Sequence, residues 1–600
     1  MIFLNNAKVR YRVLLTILLI FGIYLRIAQL SNRPLNELEA KTALQSLNYA
    51  NGTPDFSITQ PLYIVVTSLF FQLFGTGNLV ARLFSAMCGF LILFFPFLYH
   101  RKIQLAKLTF LVAFIALDTI LITWSTQADG LIPFLALSLY GLYFLSIDKK
   151  ISGIILVGLS IALGLRAFPF VIAIFIAMPI LAVLDVLWFS TGIRPMNVLS
   201  QKMNRYQWFM LIAVIVLGAT GFFAFPSGLN GLGNAFLSTF TADALDKQYF
   251  RLNFFPMLMA FLLYLSIPFI LTVVAIRAGM KKSDYQALIA FIGILIMAGL
   301  LWFLGQGVLT LAYLILPLLV LASDCALLTN NRNPLKLHQI QTIAASLIPF
   351  LGFFLLQRLA EIIQLQDLSL PLTIRWQDTM YSLPFNRFTS YTLIIAIGII
   401  VVVVLIPTIL RSFDRKQTRI GLIFGLLVVT VLSMVHNSWN AAGLNPGGDF
   451  RQNNTVPEQH SLLLGRIKFP VSSELVPIVD EISLKSVGFT NRLKGANLVR
   501  NDVMLDWILR EYPNVTKRAL VSKTGNNLDL LISDPAAEMP VSGGYVGMVI
   551  DWSSSINWDQ FTTQDWLSWL LYKNQYETRS QVIIWQPTKL VTSNITGGNQ

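Results

Sequence analysis

The stretch NRPLNELEAKTALQSL, residues 32–47, sets two carboxylates two residues apart, Glu37 and Glu39, between two apolar segments. A carboxylate there can accept a proton from a reacting group, or it can cap a helix and complement its dipole. The local pattern serves capping well. Asn36 precedes Glu39 by three residues, the spacing of a capping box, and Ala40, Ala43, Leu44 and Leu47 form an i, i+3, i+4, i+7 stripe. Glu37 and Lys41 are four apart and can pair. Leu38 fits badly, because it points almost directly away from that stripe at about 100° per residue. A cavity beneath an outer domain would cover it. Two more charges stand at the ends of apolar runs. Asp129 opens one after a very short loop, where it can cap a helix or orient a reacting group. Arg166 lies between two others, where its guanidinium can grip an anion bidentately or simply reach the interface.

The elements that hold these residues are apolar. Of 600 residues, 55% are hydrophobic and 12% charged, with a mean hydropathy of +0.65. A soluble chain cannot hide that much apolar surface, so this is an integral membrane protein. Two cysteines, Cys88 and Cys325, lie in or beside apolar segments and give neither a disulfide framework nor a metal cluster. Four scattered histidines give no ligand spacing, and neither metal nor cofactor is expected.

Runs near the length of a bilayer crossing fall at 13–30, 80–99, 104–122, 129–147, 151–165, 167–190, 207–225, 254–277, 285–303, 307–323, 340–357, 391–410 and 418–436. The fold expected is thus a polytopic all-α membrane bundle of about 13 transmembrane helices. With the N-terminus cytoplasmic, the inner segments hold 20 Lys and Arg and the short outer segments nine, which fixes that orientation. PLYIVVTSLFFQLFG, residues 61–75, would put HRKIQLAK outside if it spanned, so it is read as a helix in the outer interface. An odd number of spans leaves residues 437–600 extracytoplasmic. Those residues carry 14 basic and 15 acidic side chains, so the basic excess belongs to residues 1–436 and orients loops rather than binding nucleic acid. RALVSKTGNNLDLLIS, YVGMVIDW and SQVIIWQP read as strands, and TTQDWLSWLLYKN as a helix capped by Thr562 or Thr563. The outer part is expected to be a mixed α/β domain. Three glycosylation-type triplets, at Asn453, Asn514 and Asn594, are read as chance. Asp118 and Asp185 sit inside apolar runs, Asp118 close enough to the outer face to line a cavity. The segment 358–390, with Arg358, Glu361, Asp367, Arg375, Asp378 and Arg387, is long enough to gate a site.

In that order along residues 1–325, four patterns resemble the GT-C superfamily of glycosyltransferases, in its family 39-like branch of protein O-mannosyltransferases and lipid A aminoarabinose transferases. Leu38, Glu39, Ala40 and Ala43 match the first-loop motif, and WSTQADGLIPF matches a second with Asp129 in the acidic place. GLSIALGLRAFPF matches a third with Arg166 in the place of a lysine, and LAYLILPLLVLAS a fourth around Tyr313 and Pro317. Arg82 matches a further arginine and is read as structural.

The resemblance implies transfer of a sugar from a polyprenyl phosphate donor to a glycan, lipid or protein acceptor outside the cell membrane. Glu39 or Glu37 would be the base, Asp129 would orient acceptor or base, and Arg166 would hold the donor phosphate. Three departures stand against it. Leu38 replaces the family's leading acid, Gln60 a lysine and Ala312 an arginine. The alternative is a protein of the same fold that binds or transports lipid-linked sugars without transferring them. The expected division is a membrane domain at 1–436 and a soluble domain at 437–600.

Overall fold

The computed structural model describes residues 7–53, 57–101, 103–184, 204–241, 245–280, 285–325, 415–444, 461–471, 475–518, 528–535, 544–563 and 577–588, with shorter pieces between 345 and 386 and from 565 to 569. The chain divides into two compact units, residues 1–328 with 438–559 and 577–600, and residues 329–437 with 560–576.

The first unit opens with α1 (Ala7–Ile27), α2 (Glu37–Ala50), α3 (Pro61–Phe74) and α4 (Asn78–Phe94). Next come α5 (Leu105–Leu117), α6 (Thr119–Ser125), α7 (Leu131–Ser146), α8 (Lys150–Ile161) and α9 (Phe168–Leu184). Then follow α10 (Arg205–Thr220), α11 (Ser227–Phe240), α12 (Leu245–Phe250), α13 (Phe254–Tyr264), α14 (Ser266–Met280), α15 (Gln286–Phe303) and α16 (Leu309–Ala322). Ile20, Leu73, Phe175, Phe209, Ile212 and Ile270 point outward and exposed. Outward apolar side chains on that many helices need lipid around them, and the chain is a multi-pass membrane protein.

The thirteen expected runs meet these helices unevenly. Among the described residues three helices, Asn78–Tyr99, Gly164–Leu184 and Gln286–Phe303, are long and apolar enough to cross a membrane, or up to five if each of two bent pairs is one span. Both bends have local causes. Between α5 and α6, bent by 53°, the Asp118 side chain accepts the Leu121 N–H and starts a new helix. Between α13 and α14, bent by 67°, Pro268 has no N–H to offer the preceding turn. The runs at 129–147, 151–165, 207–225 and 307–323 fold as shorter apolar helices, and α3 is another. The run at 340–357 is described only in part, that at 391–410 at two residues, and Asp185 lies outside the described residues, so the count of thirteen stays an expectation.

The C-terminal part of this unit carries β3 (Phe469–Pro470), β4 (Gly495–Asn497), β5 (Val515–Lys517), β6 (Leu530–Ser533), β7 (Tyr545–Ile556) and β8 (Glu577–Pro587). They form one sheet in the order β3-β7-β8-β6-β4-β5. Strands β4, β5 and β6 are parallel, while β6–β8, β7–β8 and β3–β7 are antiparallel. With the helices Leu475–Val487 and Val503–Leu509 this makes a mixed α/β arrangement. In the expected strand RALVSKTGNNLDLLIS, residues 530–533 are β structure, and residues 519–527 lie outside the described residues.

The second unit holds a hairpin of β1 (Pro371–Trp376) and β2 (Thr379–Asn386) inside the segment expected to gate a site. Arg358, Glu361, Asp367, Asp378 and Arg387 lie outside the described residues, as do Asn453 and Asn594. The capping of the TTQDWLSWLLYKN helix falls to Thr562, whose N–H and hydroxyl both donate to Asp565 Oδ2.

Within the first unit, the sheet part meets the chain at Tyr249 of α12 and at Asn253 just after it. The Arg466 N–H donates to the Tyr249 carbonyl at 2.9 Å, the Trp558 indole donates to the Gly465 carbonyl at 2.6 Å, and Asp559 Oδ1 accepts the Asn253 N–H at 2.8 Å. Gly465 has φ +63°, and a Cβ there would overlap the Tyr249 carbonyl oxygen. Gly465→Ala is therefore expected to lower the unfolding midpoint by at least about 2 °C, since left-handed backbone alone costs about 1–2 kcal/mol for a residue with a Cβ. Gly233→Ala, where a Cβ meets nothing within 4 Å, is the control. Equal melting curves for the two variants would refute this docking.

Candidate functional site

The loop between α1 and α2 is closed by one buried ion pair. Asn36 caps α2, its side chain accepting the Glu39 N–H at 3.0 Å while Glu39 Oε2 accepts the Asn36 N–H at 3.0 Å. The sequence predicted this box. It did not predict what the same carboxylate does next. Glu39 takes Arg82 Nε on Oε1 at 2.6 Å and Arg82 Nη2 on Oε2 at 2.7 Å, and Oε1 also accepts the Ala128 N–H at 2.9 Å. Four donors occupy its two oxygens. Arg82 spends its remaining N–H groups on the carbonyls of Leu30, Arg33 and Pro34 at 2.8–2.9 Å. Glu39 is 2% exposed and Arg82 1%.

A second pair lies one turn of chain away. Asp129 sits before α7, and its Oδ1 accepts the Leu131 N–H at 2.8 Å. Arg166 ends a single 3₁₀ turn, Gly164–Arg166, and grips Asp129 through Nε at 3.0 Å and Nη2 at 2.6 Å. Gly164 makes this turn possible. It has φ +63°, and a Cβ there would meet the Thr59 carbonyl, which instead accepts the Leu165 N–H at 3.0 Å. Gln60, the residue just before Pro61, bridges the pair to the backbone. Its Nε2 donates to Asp129 Oδ2 at 3.2 Å, and its Oε1 accepts the Gly130 N–H at 2.7 Å. The Tyr313 hydroxyl donates to the Arg166 carbonyl at 2.8 Å, and Ala312 beside it is buried.

Glu39, Asp129 and Arg166 therefore belong to one buried network, joined because Glu39 holds Ala128 and Arg166 holds the next residue. Glu37 stands apart from it. It is half-buried, its N–H donates to the Lys468 carbonyl at 3.1 Å, and its Oε2 is buried without a hydrogen-bond partner. Leu38 between them is half-buried. Asp118 is spent on starting α6 and has Arg26 as its charged neighbour. Among the described residues no group of His, Cys, Asp and Glu could hold a metal ion.

Two cations complete the region. Lys247, on α12, is buried and donates to the Thr239 carbonyl at 2.7 Å. Burial lowers its pKa, and nearby Arg251 lowers it further. Arg166, Lys247 and Gln306 line a hollow of about 10 Å³, room for roughly one water. The ring of Phe250, also from α12, lies 5.3 Å from the Arg166 guanidinium carbon. Arg33, before α2, is buried and donates to the Ala441 carbonyl. Burial pushes its pKa down to about 10, Arg82 adds to the effect, and Glu39 opposes it. In the sequence Lys247 was one outer basic residue among nine. Its one distinguishing mark is its place in TADALDKQYF, a polar interruption between apolar runs.

No protein-family model matches the chain, and no curated protein matches it. It is similar to solved structures of the following two proteins. One is ArnT from Cupriavidus metallidurans. Bound to undecaprenyl phosphate it is 14% identical over 96% of this chain and 98% of that one, with a TM-score of 0.46. In the apo state it is 14% identical over 98% and 99%, with a TM-score of 0.49. The other is the Archaeoglobus fulgidus oligosaccharyltransferase tethered to an acceptor peptide, 13% identical over 88% of this chain and 69% of that one, with a TM-score of 0.40.

Removing one partner of a buried ion pair strands the other, at a cost of about 3–5 kcal/mol. Glu39→Leu and Arg82→Met are each expected to reduce the yield of folded protein and lower its melting midpoint. The double substitution is expected to recover most of the loss. A double mutant as unstable as the sum of the singles would show that the pair is not the coupling.

Proposed function

We propose that the chain is a membrane glycosyltransferase that takes a sugar from a polyprenyl phosphate carrier and passes it to a hydroxyl-bearing acceptor on the outer side. One observation carries this reading. In the network around α2, α4 and α12, four buried cations, Arg33, Arg82, Arg166 and Lys247, face two buried carboxylates, Glu39 and Asp129. Uncompensated buried charge is costly, and an anionic ligand offsets it. Arg166 and Lys247 line one hollow with room for about a single oxygen atom, so both cations can meet one oxygen of a phosphate group that lies against it.

In this proposal the acceptor oxygen attacks the anomeric carbon and forms the new glycosidic bond. The bond from that carbon to the phosphate oxygen breaks, and the lipid phosphate leaves with the electron pair. Arg166, oriented by Asp129, and Lys247 stabilise the charge that develops there. The proton of the acceptor passes to Glu37, the carboxylate that keeps an unpartnered oxygen; Glu39, with four donors, is left to hold the loop. The reading keeps the N-terminus in the cytoplasm, residues 1–436 as the membrane domain and residues 437–600 as an extracytoplasmic one.

The same saturation of Glu39, with Leu38 in the place of the family's leading acid, favours a second reading. In it the protein binds polyprenyl phosphate sugars and does not transfer them.

Purified chain and a radiolabelled polyprenyl phosphate sugar separate the two. Glu37→Gln is expected to lower transfer by at least about 10²-fold with lipid phosphate binding unchanged. Lys247→Met is expected to weaken that binding about tenfold, the effect of losing roughly 1.4 kcal/mol. Full transfer by Glu37→Gln removes it as the base. Tight binding of the donor without its consumption by the unaltered chain selects the second reading.

A further inference from the structure

A cleft of about 420 Å³ opens in the first unit, away from the Arg166 hollow. One wall comes from the loop before α2 and the start of α4, the other from the helix Val503–Leu509 and the residues after it. Its volume lies in the range of small-molecule sites, about 300–1,000 Å³. Pro34, Leu35, Met504 and Ile508 give it an apolar floor. Trp507 is a rigid wall: its indole N–H donates to Asn78 Oδ1 at 3.0 Å, and the Arg510 guanidinium carbon lies 3.6 Å from its ring centroid.

The charge balance differs from that of the hollow. Arg510 and Glu511 are the only ionisable side chains in the lining, and they pair at 2.9 Å. The cleft is therefore neutral and gives a phosphate little reason to enter. Yet Arg510 Nε is buried with no hydrogen-bond partner. An unmet buried donor calls for an acceptor oxygen, and the paired charges of Arg510 and Glu511 leave no net charge to favour an anion. Asn32 at the rim is exposed and offers further polar groups. An apolar floor, one unmet donor, a polar rim and no net charge fit a ring with an apolar face and a hydroxyl edge.

We propose that this cleft is a binding site for a neutral carbohydrate of one or two rings, with Arg510 Nε donating to a ring or hydroxyl oxygen. The site stands whether or not the chain transfers sugar.

Gly77 supplies a clean probe. It lines the cleft, its φ of −165° is open to any residue, and a Cβ there meets nothing within 4 Å. The full chain, in a detergent without sugar headgroups, is titrated with maltose and lactose and followed by saturation-transfer NMR. Saturable binding at roughly 0.1–10 mM is expected. Gly77→Leu is expected to abolish it with an unchanged melting midpoint, and Arg510→Gln to raise Kd at least tenfold. The proposal fails if neither disaccharide binds saturably at 50 times the upper end of that range, if Gly77→Leu binds as well as the unaltered chain, or if inorganic phosphate displaces the sugar.

Discussion

The guanidinium of Arg82 is the point at which this end of the helices is tied together. A buried guanidinium must find acceptors for five N–H groups. Arg82 finds them in the carbonyls of Leu30, Arg33 and Pro34 and in the two oxygens of Glu39. Those acceptors span the end of α1, the whole first loop and the start of α2. The carboxylate it holds then reaches Ala128, so the turn carrying Asp129 is placed by the same pair. Asp129 orients Arg166, and Tyr313 fixes the Arg166 carbonyl. Each step hands geometry from one helix to the next through a charged or backbone group, since apolar packing alone leaves lipid-soluble helices free to slide and rotate.

Part of this was legible in the residues. The Asn36–Glu39 box follows from three-residue spacing and is present as expected. Asp129 at a helix start and Arg166 at a helix end were placed by the edges of apolar runs. The partner of Glu39 was not legible, because Arg82 lies 43 positions away and spacing within one helix says nothing about contacts between helices. Lys247 was hidden for the same reason. Apolar runs also overstate continuity. The run at 104–122 carries Asp118, which caps as readily as it ionises, and the helix restarts there.

Gln60 shows how a departure from a family pattern can be absorbed. A lysine there would bring a third cation toward Asp129 and Arg166. The amide instead donates to Asp129 and accepts from Gly130, so the turn is kept while the charge is given up. A Cβ on Gly130 would overlap Gln60 Oε1, which fixes how closely the two approach. The buried cationic excess then rests on Arg33 and Lys247 rather than on the residue before Pro61.

The helical register of α2 decides what Leu38 means for chemistry. Successive residues turn by about 100°, so with Glu39 aimed inward at Arg82, position 38 lies about 100° to one side and Glu37 about 200° round. A carboxylate at 38 would sit beside the Glu39–Arg82 pair without belonging to it, near the buried network yet free to take a proton. Leucine there leaves the helix stable and its cap intact, and it takes away an acid beside that pair. Glu37 keeps a free oxygen but faces further from the network, on the side where its backbone meets Lys468 of the sheet part. A base in that position serves an acceptor arriving from the sheet side. With Glu37 as the proposed base, the acceptor would approach between α2 and the segment at Lys468, and a chain that only binds its lipid has no such requirement.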